Sequence, residues 1–174
     1  RGDLQECDMD VTAPVVAWTT VRIFLALALY LQWTMKALDF ANAFVQADID
    51  HDVYTYLPRG YKSMLESHGQ KIGLKLRKSL YGLSIAPRLW FKFLQRGLKK
   101  LGFKTSSYDP CLLYKDGIIL VTFVDDCGLA VRDPKDIDWF VSSLRKNGFE
   151  LEIEGDFTAF LGVAIERRDD GSIH

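Results

Sequence analysis

Two adjacent aspartates, Asp125 and Asp126, interrupt a stretch otherwise suited to burial. Ile118-Ile119-Leu120-Val121-Thr122-Phe123-Val124 precedes them, and Cys127-Gly128-Leu129-Ala130-Val131 follows. Both flanks are apolar and rich in β-branched residues, so both read as strands, with the acids where the chain must turn back. Two like charges at a hairpin tip repel each other unless something neutralises them. The usual neutraliser of clustered carboxylates is a hard divalent cation, Mg²⁺ or Mn²⁺. A third acid, Asp39, ends the segment Met35-Lys36-Ala37-Leu38-Asp39. Three carboxylates on neighbouring strand ends would make a two-metal site for phosphoryl transfer.

The elements that must position these acids follow from periodicity and punctuation. A helix is expected over 21–32, capped by Thr19 or Thr20, then a strand over 34–39. A turn or short helix carries Phe44 at 40–47. Strands are expected at 52–57 and 71–76, with a polar loop over 61–70 between them. Tyr81-Gly82-Leu83 reads as a bend, with Gly82 free to take a backbone geometry that other residues avoid. Pro87 opens a helix that runs to residue 101 and stops at Gly102. Its apolar stripe is Trp90, Leu94, Leu98 and Leu101, and Trp90 is read as core. Strands at 112–115 and 117–124 lead into the acidic turn and a strand at 127–131. A helix over 134–146, strands at 151–153 and 160–166, and a hairpin turn at Asp169-Asp170-Gly171 complete the order. The sum is an α+β sheet with helices on one face. Asp39 meets residues 125–126 only if their strands are neighbours, which the sequence leaves open.

At 174 residues and 48% hydrophobic content, the chain supports one domain with a core and a small attached lobe. The net charge of −1 says nothing about partners, but its distribution does. No Asp or Glu lies between Ser67 and Tyr108, a stretch that holds ten of the 22 basic residues. From Asp125 onward twelve acids face six Lys and Arg. A basic region beside an acidic metal pocket suits a polyanionic substrate. The three cysteines, Cys7, Cys111 and Cys127, and three scattered histidines follow no zinc spacing. Cys127 is read as a small buried hydrophobe and the compartment as reducing. The apolar run 23–31 is too short to span a bilayer, and no signal peptide is visible. A chain opening on Arg1 is expected to be a piece of something longer.

Several segments together carry a resemblance. They are Lys78-Ser79-Leu80-Tyr81-Gly82-Leu83, Ala86-Pro87-Arg88 with Trp90, and Phe123-Val124-Asp125-Asp126. Leu38-Asp39-Phe40-Ala41-Asn42-Ala43-Phe44, Tyr108-Asp109-Pro110-Cys111-Leu112, Phe160-Leu161-Gly162-Val163-Ala164-Ile165 and Ala13-Pro14-Val15-Val16 with Arg22 join them in order. In this set the chain resembles the reverse transcriptases of copia-type retrotransposons over nearly its whole length.

The resemblance implies a right-hand polymerase palm with part of the fingers, and RNA- and DNA-templated DNA synthesis. It assigns 35–51 and 81–174 to the palm, and 1–34 and 52–80 to the fingers side. No thumb or ribonuclease H is expected within this stretch. Asp39, Asp125 and Asp126 are implied as catalytic and metal-binding, with two Mg²⁺ ions for which Mn²⁺ can substitute. The backbone carbonyl of Phe40 would complete the coordination. Phe44 would lie under the incoming sugar, with Tyr81 and Gly82 near the nucleotide and template. Phe160-Leu161-Gly162 resembles the segment that holds the primer terminus. The implied partners are an RNA template, a DNA primer strand, deoxynucleoside triphosphates and the remainder of a polyprotein, with no membrane. The implied location is intracellular: cytoplasmic virus-like particles, or the nucleus. The basic stretch would contact phosphates without reading bases.

Ser84 and Ile85 stand where this family commonly has a basic residue and Gln, Phe123 where Tyr is commoner, and Cys127 where a larger apolar residue is frequent. None of these removes an expected metal ligand. Two rival readings stay open. One is a catalytically silent fragment of the same fold. The other is a small sheet-based nucleic-acid-binding module, which would need exposed aromatics on its sheet and no acidic cluster.

Overall fold

The computed structural model describes residues 11–58, 60, 72–166 and 168. The expected loop at 61–70 and hairpin turn at 169–171 lie outside them, as does Cys7. Helix α1 spans Trp18–Tyr30, and strand β1, Thr34–Asp39, has the bounds expected. A single turn, α2 (Ala43–Gln46), follows, then strands β2 (Tyr54–Tyr56) and β3 (Gly73–Lys75). Helix α3 (Ala86–Lys100) leads to β4 (Lys104–Thr105), β5 (Leu112–Lys115), β6 (Ile118–Phe123) and β7 (Asp126–Val131). Helix α4 (Lys135–Lys146) is followed by β8 (Glu152–Asp156) and the short β9 (Ala159–Phe160) and β10 (Val163–Ala164).

One six-stranded sheet carries the body in the order β4-β5-β6-β7-β1-β8, every pairing antiparallel. β2–β3 and β9–β10 form separate two-stranded ribbons. Pleating sends alternate residues of β6 and β7 to opposite faces. Ile118, Leu120, Cys127, Leu129 and Val131 join Trp90, Leu94, Leu98, Phe140 and Leu144 in one core. Val121 and Ala130 join Val21, Phe24, Ala28, Phe157 and Phe160 in a second. The sheet is therefore covered on both sides. α3 and α4 share one face as expected, but α1 lies on the other. α1 is apolar nearly all round, with Ile23 and Leu27 exposed while Val21, Phe24 and Ala28 are buried. Its sequence pattern therefore does not single out a buried stripe, and the packing partner chooses one.

The start of α1 also differs from expectation. The helix begins at Trp18 after Ala17, which has no capping side chain. The acceptor comes from far along the chain. Asp109, 6% exposed, takes the Ala17 N–H at 3.0 Å and the Thr20 hydroxyl at 2.5 Å on Oδ2, and the Cys111 N–H at 2.8 Å on Oδ1. A carboxylate here also complements the positive end of the helix. Thr20 thus serves α1 through Asp109 and not as its cap.

α3 begins one residue before Pro87 and ends ahead of Gly102, whose φ of +88° suits glycine. Its close approach to the chain after α4 depends on Gly97. A Cβ at that position would overlap the Phe149 ring, which is 3% exposed. Phe149 cannot retreat, because its ring centroid lies 4.5 Å from Phe93 and 6.0 Å from Phe40. Gly97→Ala gains about 1 kcal/mol of helix propensity. The overpacking costs about 1–3 kcal/mol. The net expected result is a lowered melting temperature, measured by thermal denaturation; an unchanged or raised one would show that the contact relaxes freely.

Candidate active site

The β6–β7 hairpin closes on the Phe123–Asp126 pair, so its two-residue loop is Val124-Asp125. Asp126 is thus the first residue of β7 and not part of the tip, a one-residue correction to the expected boundary. β1 lies beside β7 with Asp39 opposite Asp126. Directly opposed residues in an antiparallel pair have Cα atoms about 4.5–5.5 Å apart. The Phe40 N–H donates to the Asp125 carbonyl at 3.1 Å, which ties the end of β1 to the turn. The adjacency left open by the sequence is therefore present. Asp39, Asp125 and Asp126 come from distant points of the chain to one end of two neighbouring strands.

Leu38 and Cys127 belong to the core beneath α3. By alternation Asp39 and Asp126 point to the opposite face of the sheet. The exposed Lys92, Arg96, Lys99 and Lys100 of α3 consequently lie behind the sheet, not beside the acids. The basic region expected beside the acidic pocket is therefore not supplied by this face of α3.

β8 adds a residue the sequence did not single out. Glu152 pairs with Asp39 on the side away from β7. Burial raises the Asp39 pKa above the ordinary carboxylate value, with Asp125 and then Glu152 adding to the rise. Burial, then Asp125 and Asp39, raises Asp126 likewise. Among the described residues none of these three aspartates forms an ion pair with Lys, Arg or His. Hard oxygen donors held together without a protein cation fit a divalent metal ion in donor type and in backbone placement. Among the described residues, however, no three Asp, Glu, His or Cys side chains form a group able to hold a metal. The fit therefore rests on the backbone and on donor chemistry, not on a preformed ligand cage.

Phe40 is fully buried, its ring packed edge-on against Trp90 at 5.1 Å, so only its backbone is available to the site. Phe44, on α2, is half-buried and packs on Tyr81 with ring centroids 4.7 Å apart. Burial raises the Tyr81 phenol pKa, helped by Asp125 and then Asp39, so this ring pair sits beside the acids. Gly82 has φ +90°, the geometry expected of its bend. Gln46 holds α2 in place: its amide donates to the Ala41 and Glu150 carbonyls at 2.7 and 2.8 Å and accepts the Glu150 N–H at 3.0 Å. Leu161-Gly162 forms the two-residue loop of β9–β10, both with positive φ. That ribbon and Asp126 line a cleft with Ala37 and Glu154.

The fold and site define a sheet-based domain with an acidic centre at paired strand ends, flanked by an aromatic pair and a tight ribbon. The reverse transcriptase (RNA-dependent DNA polymerase) family profile matches residues 3–173. The chain is 31% identical over 163 residues to the retrovirus-related Pol polyprotein from transposon TNT 1-94 of Nicotiana tabacum, covering 91% of this chain and 12% of that protein. It is also 31% identical over 163 residues to the Pol polyprotein from transposon RE1 of Arabidopsis thaliana, covering 91% and 11%. A putative transposon Ty5-1 protein of Saccharomyces cerevisiae is 29% identical over 140 residues, covering 78% and 44%. The chain belongs to the reverse transcriptase family, in the copia-type group. It spans about one tenth of the length of the plant Pol polyproteins it matches. No helix among the described residues is long and apolar enough to cross a membrane.

Proposed function

We propose that this chain is the palm, with part of the fingers, of an RNA- and DNA-templated DNA polymerase working by nucleotidyl transfer. The observation that carries the reading is the register of Asp39 against Asp126, with the Phe40 N–H on the Asp125 carbonyl. In this reading 35–51 and 81–174 form the palm and 1–34 and 52–80 the fingers side, although α1 packs on the palm sheet. RNA template, DNA primer, deoxynucleoside triphosphates and the remainder of a polyprotein are the proposed partners, within intracellular virus-like particles.

Asp39, Asp125 and Asp126 would hold two Mg²⁺ ions, with the Phe40 carbonyl as a further oxygen donor. Once bound, that pair supplies the acidity that activates a primer 3′-hydroxyl and the positive charge that a triphosphate and departing pyrophosphate require. The protein's own residues do the rest by position. The strand pairing holds Asp39 and Asp126 side by side before substrate arrives, so little reorganisation is needed. Tyr81 braces the Phe44 ring where the sugar would rest. The Leu161-Gly162 ribbon, adjoining Asp126, would steady the primer end.

Primer extension with Mg²⁺ on a homopolymer RNA template, run on the full-length protein that carries this chain, tests the function directly. No incorporation under any metal would reject it. The sugar contact has its own test. An aromatic ring against C2′ leaves no room for a hydroxyl. Phe44→Ala is expected to lower the preference for deoxynucleotides over ribonucleotides by about 10- to 100-fold, measured as the ratio of kcat/KM values. Unchanged selectivity would remove Phe44 from the site.

A further inference from the structure

Val124 has φ +53°, a left-handed conformation uncommon for any residue but glycine and a true outlier for a β-branched one. Such strain persists only where surrounding contacts over-determine it. Here two contacts do so. The Asp125 carbonyl is held by the Phe40 N–H at 3.1 Å. The Val124 carbonyl is held by the indole N–H of Trp90 at 2.7 Å. Both carbonyls of the two-residue loop are thus anchored, one by the chain leaving β1 and one by α3 from beneath the sheet.

Trp90 is built for this task. Its ring is 1% exposed and locked among Phe40 at 5.1 Å, Phe93 at 6.0 Å and Phe149 at 6.2 Å. The indole has a single donor and no acceptor. A buried donor needs a partner, and this one meets the carbonyl immediately before Asp125. A phenylalanine would fill most of the same space but could not hold the turn.

We propose that Trp90 is a positioning residue of the active site, which clamps Val124 in its left-handed conformation and thereby fixes where the Asp125 carboxylate points. This rests on the reading of Asp125 as a catalytic carboxylate. Without the clamp, Val124 relaxes toward negative φ and carries Asp125 with it. The aromatic cluster persists, so the loss appears at the hairpin and not in the core.

The test uses the full-length protein and four readouts: single-nucleotide incorporation, apparent Mg²⁺ requirement, melting temperature, and hydrogen exchange of the Phe40 amide. Trp90→Phe is expected to lower kcat by about 10- to 100-fold, the usual range for residues that orient metal ligands. The KM for deoxynucleotide should move little, the Mg²⁺ requirement should rise, and the Phe40 amide should exchange faster. Benzothienylalanine at position 90 keeps the bicyclic shape and lacks only the N–H. It should reproduce these losses with only the small fall in melting temperature that one lost hydrogen bond brings, which covers the case of a poorly folded Trp90→Phe. Val124→Gly supplies the decisive arm, because glycine adopts positive φ without strain. In that background Trp90→Phe should cost much less. Wild-type kcat and exchange in the benzothienyl variant, or equal losses in both backgrounds, would overturn the proposal. Asp125→Asn, run in parallel, separates the two ideas. If it retains activity, the catalytic reading fails; if it is inactive while the position-90 variants are normal, only the clamp fails.

Discussion

Asp125→Asn is expected to abolish nucleotide incorporation, by at least about 10³-fold in kcat, while leaving the melting temperature unchanged or slightly raised. The two outcomes have separate causes. Asn keeps the backbone carbonyl that accepts the Phe40 N–H, so the β1–turn junction survives. It removes one charge that, after burial, raises the pKa of Asp39 and Asp126, from a group with no ion-pair partner among the described residues. Removing a like charge relieves repulsion in the folded state. A charge retained against that repulsion points to a ligand-binding purpose and not to stability. Primer extension in Mg²⁺ and thermal melting of the full-length variant check both halves. Retained incorporation would exclude Asp125 as a metal ligand. A large fall in stability would show the carboxylate to be structural.

Asp109→Ala is expected to be the most destabilising change outside the sheet's apolar core. It strands the Ala17 and Cys111 N–H groups and the Thr20 hydroxyl, all now served by one buried carboxylate. Losing hydrogen bonds to a charged acceptor in a buried place costs about 3 kcal/mol. For a chain of this size that lowers the melting temperature by roughly 6–12 °C. Asp109→Asn keeps one oxygen acceptor and should lose about half as much. The wild type carries a matching pH signature. Burial by itself would raise the Asp109 pKa, but the hydrogen bonds from Thr20, Ala17 and Cys111 outweigh it, and the net shift is downward. The folded chain thus binds this proton less readily than the unfolded chain does. The stabilisation is complete above the unfolded carboxylate value, about 3.9, and is lost as pH falls through the lower folded value. Acid unfolding should be steeper in the wild type than in Asp109→Asn. Parallel acid titrations of the two would refute the assignment.

Local pattern made much of this legible. β1 begins and ends where its residues said it would, because strand preference is a short-range signal. α3 was marked by Pro87 and Gly102, and β6–β7 by apolar runs around two acids. Of the proposed site residues, Asp39 and Asp125 were nameable from residue type and spacing, and Phe44 and Tyr81 from the family resemblance. Four features were not. Glu152 reaches Asp39 only through the β1–β8 pairing, and nothing in its own neighbourhood signals that. The buried side of α1 could not be chosen, since the helix is apolar all round. Asp109 caps a helix 92 residues away. The face of α3 that carries part of the basic stretch expected beside the acids lies behind the sheet that carries them.

Residue types and their local spacing were enough to determine part of the chemistry on offer: oxygen donors at strand ends and a glycine bend. They also determined most of the segments that extend or coil, because those preferences act within a few residues, but not the Leu161-Gly162 turn that splits the strand expected over 160–166 into β9 and β10. Only the tertiary structure decided that β1 inserts between β7 and β8, which brings Asp39 opposite Asp126. Only it decided that Trp90 reaches up to the Val124 carbonyl. Strand order and cross-chain hydrogen bonds depend on the joint burial of both sheet faces, a free energy shared by the whole chain and written in no single stretch of it.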